Sequence, residues 1–295
     1  MPITHEFEFL RPSSLGDALS LLADRSGIKP LAGGTDLIVR LKNGQDTPSA
    51  VMDLKQLPEL GGLAVKDGVL TIGAGVTFAE LIESPLIRKH YPLLAEAAQT
   101  VASGGVRNRA TLAGNIVSAV PSCDSATCLL VCDASVMAVS ARGERAIPIT
   151  EWFSGPRSTA LQPDELVKCV RITLPEKKTG GCYVKLARYN GEDLAQAGVS
   201  VLVDSAKNYR VALSAVCPAP KRLRKTEIFL KGKRPTDKTL SEAVKLVALE
   251  VCAITDIRAT VEYRAHMTGI MFKRCAAAAF ARLEGKGPRY GEKLV

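Results

Sequence analysis

The chain has 295 residues, 46% hydrophobic and 23% charged, a globular mixture long enough for two domains or three small ones. No apolar run reaches the ~20 residues a membrane-spanning helix needs, and the polar start "MPITHEFEFLRPSS" lacks the apolar core of a signal peptide, so a cytoplasmic protein is expected. The formal net charge of +9 is uneven: Pro218 to Lys238 holds eight Lys/Arg against two acids, but its only aromatic is Phe229 and no nucleic-acid motif accompanies it, so it reads as a solvated or partner-facing stretch.

In chain order, "PSSLGDALSLLADRSG" predicts a helix. Ser13 or Ser14 caps it, Leu15, Ala18, Leu19 and Leu22 share a face, and Gly27 is the stop. "IKPLAGG" predicts a short strand entering a glycine turn. "DLIVRLKNG" is a further element and "AVMDL" a further strand. A short strand follows at Ile72 to Gly75. Thr77 and Glu80 form a capping box that opens the helix "TFAELIES". "YPLLAEAAQTVAS" is an amphipathic helix, "TLAGN" a second glycine-containing turn, and "CLLVCDASVMAVS" passes from buried helix to strand. After "LVKCVRITLP", the polar run "EKKTGG" reads as a linker near residues 175–181. Strand signals then recur in "CYVKLARY", "AGVSVLVD" and "RVALSAVC". Two helical segments follow, "KTLSEAVKLVALEVCA" and "VEYRAHMTGIMFKRCAAAAFARLEG", which together predict an α+β unit.

The eight cysteines contain no CxxC pair. Cys123, Cys128 and Cys132 have a spacing that an iron–sulfur centre can use, but Cys128 and Cys132 sit in an apolar run where thiols behave as small hydrophobes; buried free thiols are the reading. His5, His90 and His266 are scattered and form no triad or metal spacing. The chemistry rests on two glycine-containing motifs. Glycine accepts positive φ and lets backbone approach a ligand closely, and successive backbone N–H groups make an anion-binding nest. "LAGGTD" adds the Thr35 hydroxyl; "TLAGN" adds the Thr111 hydroxyl and the Asn115 amide. Taken singly, each also reads as a plain tight turn. Neither matches GxGxxG or the P-loop. Two nests closing on one ligand point to a pyrophosphate, and so to a dinucleotide held by another kind of scaffold.

The segments "KPLAGGTDLIVRLK", "VRNRATLAGN", "VPSCDSA", "DELVKCVRITLP" and "YVKLARYNGEDLA" occur in the order and spacing of one family. From Phe7 to about Leu283 the chain resembles the FAD-binding medium subunit of the molybdenum hydroxylases, the xanthine dehydrogenase and carbon monoxide dehydrogenase group. "DSATCLLVCDA" followed by "RGERAIPITEWFSGP" is most similar to bacterial xanthine dehydrogenase FAD subunits. The resemblance implies an α+β fold: a two-lobed FAD domain over 1–177, with lobes of about 1–57 and 58–177, and a smaller α+β domain over 178–295. It implies a first pyrophosphate loop at Lys29, Pro30, Leu31, Ala32, Gly33, Gly34, Thr35 and Asp36, and a second at Thr111, Leu112, Ala113, Gly114 and Asn115. Asp124 falls where the family places an aspartate on the sugar-like hydroxyls of the cofactor. Val167 and Lys185 fall where the family meets the isoalloxazine ring, a site where a cation favours the anionic reduced form.

The resemblance further implies an oxidoreductase subunit without catalytic or metal-ligating side chains of its own. It would hold FAD and accept electrons from a [2Fe–2S] small subunit fed by a molybdopterin large subunit. It would then pass them to NAD+ or another acceptor, in a cytoplasmic complex expected to be a dimer of heterotrimers that oxidises a purine-like heterocycle or an aldehyde. Three positions depart from the family pattern. Ala113 stands where glycine is usual, Gly105 where glutamine is common, and Tyr189 where a second arginine is common. Two other readings remain at this point. One is a self-sufficient flavin oxidoreductase without partner subunits, for which no acid–base side chain stands out. The other is a non-enzymatic protein with purely structural turns.

Overall fold

The computed structural model describes residues 2–189 and 192–295; Asn190 and Gly191, inside the "YVKLARYNGEDLA" motif, lie outside the described residues. The chain begins with β1 (Glu8–Leu10), α1 (Leu15–Asp24), β2 (Ile28–Leu31), α2 (Leu37–Lys42) and β3 (Ala50–Asp53). The three strands form a parallel sheet in the order β1-β3-β2. Parallel neighbours require crossover connections, and α1 and α2 supply them. Ser14 caps α1 by accepting from the Asp17 N–H at 3.1 Å. The helix stops at Asp24, short of the expected Gly27. Gly27 instead turns the chain into β2 at φ +77°, where an added Cβ would strike Ser49.

A 3₁₀ turn (Pro58–Leu60) leads to β4 (Leu63–Lys66) and β5 (Val69–Gly73). Six helices follow: α3 (Phe78–Glu83), α4 (Pro85–His90), α5 (Pro92–Gln99), α6 (Gly104–Arg107), α7 (Leu112–Ser118) and α8 (Asp124–Val131). Then come β6 (Ser135–Ser140), β7 (Gly143–Pro148), α9 (Ile149–Trp152), β8 (Phe153–Gly155), β9 (Ser158–Thr159) and β10 (Leu166–Thr173). The Thr77–Glu80 capping box forms at the head of α3. The main sheet is antiparallel in the order β4-β5-β10-β6-β7, so β10 returns late in sequence to sit between β5 and β6. One core joins both sheets: Ala18, Leu19 and Leu22 of α1 and Ala50 and Met52 of β3 pack with Ile72, Phe78, Val136, Trp152 and Val170.

The remainder comprises β11 (Thr179–Leu186), β12 (Ala197–Asp204), β13 (Tyr209–Ser214), β14 (Lys221–Arg222), α10 (Arg224–Leu230), α11 (Asp237–Glu250) and α12 (Val261–Leu283). The strands form an antiparallel sheet in sequence order. α12 lies across β11 and β12 and shares their core through Met271, Phe272, Cys275 and Ala279. The glycines of "EKKTGG" are therefore strand rather than linker. A Cβ on Gly180 would meet the Leu283 backbone N at 2.5 Å, so only glycine lets the end of α12 lie this close to β11. α11 likewise ends at Glu250, leaving the last three residues of "KTLSEAVKLVALEVCA" outside the helix.

Helix α8 connects the two halves. Ser200 of β12 donates to Thr127 at 2.7 Å, Arg210 of β13 donates to the Val131 carbonyl, and Arg222 of β14 donates to the Leu130 carbonyl at 2.9 Å. Arg222 also bridges Asp133 and Glu227, and its side chain is only 5% exposed. Part of the basic stretch is thus committed to contacts within the protein, while Lys225, Lys231 and Lys238 stay exposed. Arg224 pairs with Glu227, Arg234 with Glu284, and Lys233 lies 3.5 Å from the centre of the Phe229 ring. A second connection is buried beneath β11. Glu96 of α5 accepts from the Tyr183 N–H, from both terminal nitrogens of Arg282 and from the Gly291 N–H, at 2.8 to 3.0 Å.

Candidate functional site

The first motif leaves β2 at its carboxyl end and runs into α2. Its six-residue exit, Leu31 to Asp36, divides by role. The Leu31 side chain is buried against Leu41 and Val51, so only its backbone faces the turn. Ala32, Gly33, Gly34 and Thr35 are half-buried, and Lys29, Pro30 and Asp36 are exposed. Gly34 adopts φ +77°, which reverses the chain. The N–H groups of Ala32 through Asp36 make no hydrogen bond to any group among the described residues. A run of half-buried, unpaired N–H groups is a concentration of partial positive charge with no counterpart in the protein. Asp36 stands at the N-cap of α2 but makes no capping bond, so its carboxylate is also uncommitted. Lys29 adds its charge beside Asp46, whose carboxyl is held below the ordinary range chiefly by its hydrogen bond to Arg40.

The second motif is not a turn. Thr111 is the N-cap of α7, accepting from the Gly114 N–H at 2.9 Å, and Leu112 to Asn115 form the helix's first turn. Glycine and asparagine favour turns locally; the Thr111 cap and the burial of Leu112 and Ala113 favour helix here, and they win. This changes the donor count. The Leu112 N–H goes to the Val76 carbonyl and the Asn115 N–H to the Thr111 carbonyl. Of the N–H groups in "LAGN", only that of Ala113 lacks a partner among the described residues. The motif therefore offers one free N–H and a helix N-terminus rather than an open nest. The first motif touches the two residues that lead into the second. A Cβ built on Gly33 would lie 2.8 Å from Ala110 Cα and closer still to the Arg109 carbonyl.

Asn115 leads onward to the third group. Its Oδ1 accepts from Ser125 Oγ at 2.7 Å and from Cys123 Sγ at 3.0 Å, which fixes the start of α8 beside α7. Asp124, the first residue of α8, is buried at 8% exposure. Tyr183 Oη donates to its Oδ1 at 2.6 Å and Lys185 Nζ to its Oδ2 at 2.9 Å; Lys185 donates again to the Thr100 carbonyl at 3.0 Å. Burial pushes the Asp124 carboxyl up, and the Lys185 charge and the Tyr183 hydrogen bond oppose it. The Tyr183 phenol is pushed far above its ordinary value by burial and by the Asp124 charge, so it stays protonated and donates to Asp124. Capacity remains. A carboxylate has about four acceptor positions and an ammonium three donors. Asp124 has one partner on each oxygen, and Lys185 has one N–H left over.

Val167 lies on β10 at a register shift between Val167 and Cys169. The next carbonyl, Lys168, accepts from the Ala74 N–H, which connects β10 to the 74–78 segment; that segment is bridged to Thr111. The Val167 side chain is buried in the main core. The structure thus links the 31–36 loop, 111–115, Asp124 and Lys185 through neighbouring contacts; Val167 reaches them only by way of the Lys168 carbonyl, and Lys29 and Pro30 flank the region with exposed side chains. Sequence reading missed Tyr183, Ser125 and the Arg109–Ala110 backbone. Tyr183 had a signal: it stands two residues before Lys185, hence on the same strand face. Seven cysteines are buried and Cys252 is exposed; burial pushes the Cys123 and Cys132 thiols up to about 12. Among the described residues no group of three or more His, Cys, Asp or Glu could hold a metal ion, and no helix is long and apolar enough to cross a membrane.

Comparison with known proteins gives two family matches. Residues 5–176 match the FAD binding domain in molybdopterin dehydrogenase, and residues 182–279 match the CO dehydrogenase flavoprotein C-terminal domain. The chain is 33% identical over 282 residues to the xanthine dehydrogenase FAD-binding subunit of Escherichia coli O157:H7, covering 94% of this chain and 97% of that one. It is 33% identical over 286 residues to the carbon monoxide dehydrogenase medium chain of Hydrogenophaga pseudoflava, covering 95% and 99%. The solved carbon monoxide dehydrogenase of Hydrogenophaga pseudoflava, in a form lacking the Mo-pyranopterin moiety, superimposes with a TM-score of 0.92 at 32% identity, covering 96% of this chain and 99% of that one.

Proposed function

Because the chain belongs to the family of FAD-binding subunits of the molybdopterin dehydrogenases, we propose that it is the electron-transfer subunit of a molybdenum hydroxylase. In this reading it takes electrons from a [2Fe–2S] small subunit, itself supplied by a molybdopterin large subunit, and delivers them to NAD+. The substrate class is a purine-like heterocycle or an aldehyde, oxidised on the large subunit. The assembly is a cytoplasmic dimer of heterotrimers. The division between the FAD domain and the C-terminal domain is placed at 177/178. The observation that carries the reading is the run of N–H groups from Ala32 to Asp36 without a partner among the described residues, packed at Gly33 against Arg109–Ala110, which lead into α7.

The residues present fit FAD. The 32–36 N–H groups and the Ala113 N–H would hold the pyrophosphate, with the α7 N-terminus adding partial positive charge. Thr35 and Asn115 offer polar side chains beside them. The remaining acceptor positions of Asp124 suit sugar-like hydroxyls, and the spare N–H of Lys185 suits an electron-rich carbonyl edge of the flavin. Tyr183 keeps Asp124 oriented and, by donating, favours its ionised form against burial. Bound FAD supplies the exchange between one-electron and two-electron carriers that joins an iron–sulfur donor to a hydride acceptor.

The test is anaerobic. FAD-loaded chain is mixed with xanthine or an aldehyde and followed at the oxidised-flavin band. No bleaching is expected from the chain alone, and bleaching is expected once the molybdopterin and [2Fe–2S] subunits are added. NADH should bleach the band of the isolated chain if the acceptor is NAD+. Substrate-driven bleaching without partners would overturn the proposal in favour of a self-sufficient oxidoreductase.

A further inference from the structure

We infer that Cys217 and Cys252 form a redox-active dithiol, a modification site that a peroxide converts into an intramolecular disulfide. Cys217 lies just beyond β13 and Cys252 just beyond α11. The Cys252 N–H donates to the Val216 carbonyl at 2.9 Å, so the backbone at Cys252 runs beside that at Cys217. One N–H···O bond and the Val216–Cys217 peptide unit are all that separate the two Cα atoms. A disulfide requires about 4.4–6.8 Å. The two thiols also converge on one acceptor: Cys217 Sγ lies 3.7 Å and Cys252 Sγ 3.9 Å from the Glu250 carbonyl oxygen.

The two cysteines differ in a way that suits the chemistry. Cys252 is the one exposed cysteine, and Cys217 is buried at 6% exposure. An oxidant in solution therefore meets Cys252 first, and the second step is internal and needs no access from solvent. Burial raises the Cys217 thiol, but the Cys252 N–H and the Lys221 ammonium pull against it, so a positive charge stands beside the resolving sulfur.

The chemistry balances with hydrogen peroxide. The Cys252 thiolate attacks one peroxide oxygen, the O–O bond breaks, hydroxide leaves, and the sulfur becomes a sulfenic acid. Cys217 sulfur then attacks that sulfur, the S–S bond forms, the S–O bond breaks, and the oxygen leaves as water with the Cys217 proton. Two thiols lose two electrons and two protons, and the peroxide becomes two waters. The other six cysteines are buried away from the reagent. This inference does not depend on the flavin reading.

The test uses the full chain. After hydrogen peroxide, quenching and unfolding in an alkylating reagent, the count of free thiols should fall from eight to six. Peptide mapping should find Cys217 joined to Cys252, lighter by two hydrogens, and dithiothreitol should restore all eight thiols. Cys252→Ser should keep its remaining thiols under the same treatment. Cys217→Ser should stop at a Cys252 sulfenic acid that dimedone traps. The inference is overturned if wild-type Cys252 ends as a sulfenic or sulfinic acid while Cys217 stays alkylatable. A Cys252 link to a second copy of the chain would overturn it equally.

Discussion

Gly33→Ala adds one methyl group where the first motif meets Arg109–Ala110, the residues that lead into the second. The new carbon would sit 2.8 Å from Ala110 Cα, whereas ordinary contact begins at 3.4 Å. The loops must therefore separate by at least 0.6 Å, and by more at the Arg109 carbonyl, which lies closer. The obstacles are backbone atoms on both sides, so no side chain can swing away. Overpacking of this kind costs about 1–3 kcal/mol. In the free protein the loop relieves much of it by moving outward, since Ala32 to Thr35 are only half-buried. A pyrophosphate bridging the two motifs draws them together again, so the cost reappears on binding as a roughly 5- to 150-fold weaker FAD affinity. Flavin-fluorescence titration of apo-protein measures this, with thermal unfolding as a check on the fold. Gly34→Ala serves as a comparison. There the strain is the φ of +77°, and the nearest atom is the movable Cδ1 of Leu31. Wild-type FAD affinity in a well-folded Gly33→Ala protein would refute the joint use of the two motifs.

Three further changes probe the connections around the site. Lys185→Met removes the charge that opposes burial at Asp124, raising that carboxyl further. A carboxyl raised in the folded state favours folding at pH below its unfolded value, and that advantage is lost as pH rises through the folded value. The variant should therefore approach wild-type stability in acid and fall about 3–5 kcal/mol below it once Asp124 ionises; urea titrations across pH would show a flat deficit if this is wrong. Arg282→Met strands the buried Glu96 carboxylate and should cost about 3–5 kcal/mol, read as a shift in the urea midpoint; an unchanged midpoint would mean the tail and β11 are held by packing alone. Arg222→Met should similarly lower stability through Glu227, with little change in the salt dependence of subunit association; a stable variant with altered salt dependence would return the basic stretch to a docking role.

Local signals were legible where one segment decides its own structure. Ser14 and the Thr77–Glu80 box cap their helices as their spacing requires, and the three strands after residue 178 follow their apolar runs. "TLAGN" misled because its glycine and asparagine are read locally as turn residues, while the contacts that make it a helix start come from distant chain: Val76 takes the Leu112 N–H, and Trp152 donates to the Ile116 carbonyl. The same limit hid the Asp124–Tyr183–Lys185 cluster. Its members are about sixty positions apart, and no periodicity links the start of a helix to a strand in another sheet. Within the basic stretch, which is mostly exposed as its composition suggests, one residue departs. Composition counts Arg222 as surface charge, but its guanidinium is buried between Glu227 and the end of α8.

The position of the first motif has a reason that requires no family. It leaves the carboxyl end of β2 in a parallel sheet and runs straight into the amino end of α2. In open parallel sheets that edge gathers unpaired N–H groups, because the strand ladder has ended and the first-turn N–H groups of the crossover helix have no carbonyl one turn before them. Here the edge is short, three strands and two helices, and cannot enclose a dinucleotide alone. Closure comes from outside the sheet. The Arg109–Ala110 segment leading into α7 lies against the loop, and β11 brings Tyr183 and Lys185 onto Asp124, which opens α8 beside α7. The C-terminal domain is therefore expected to matter to FAD retention through two side chains of a single strand, and β11 is held in place by Glu96, which accepts the N–H of Tyr183 itself.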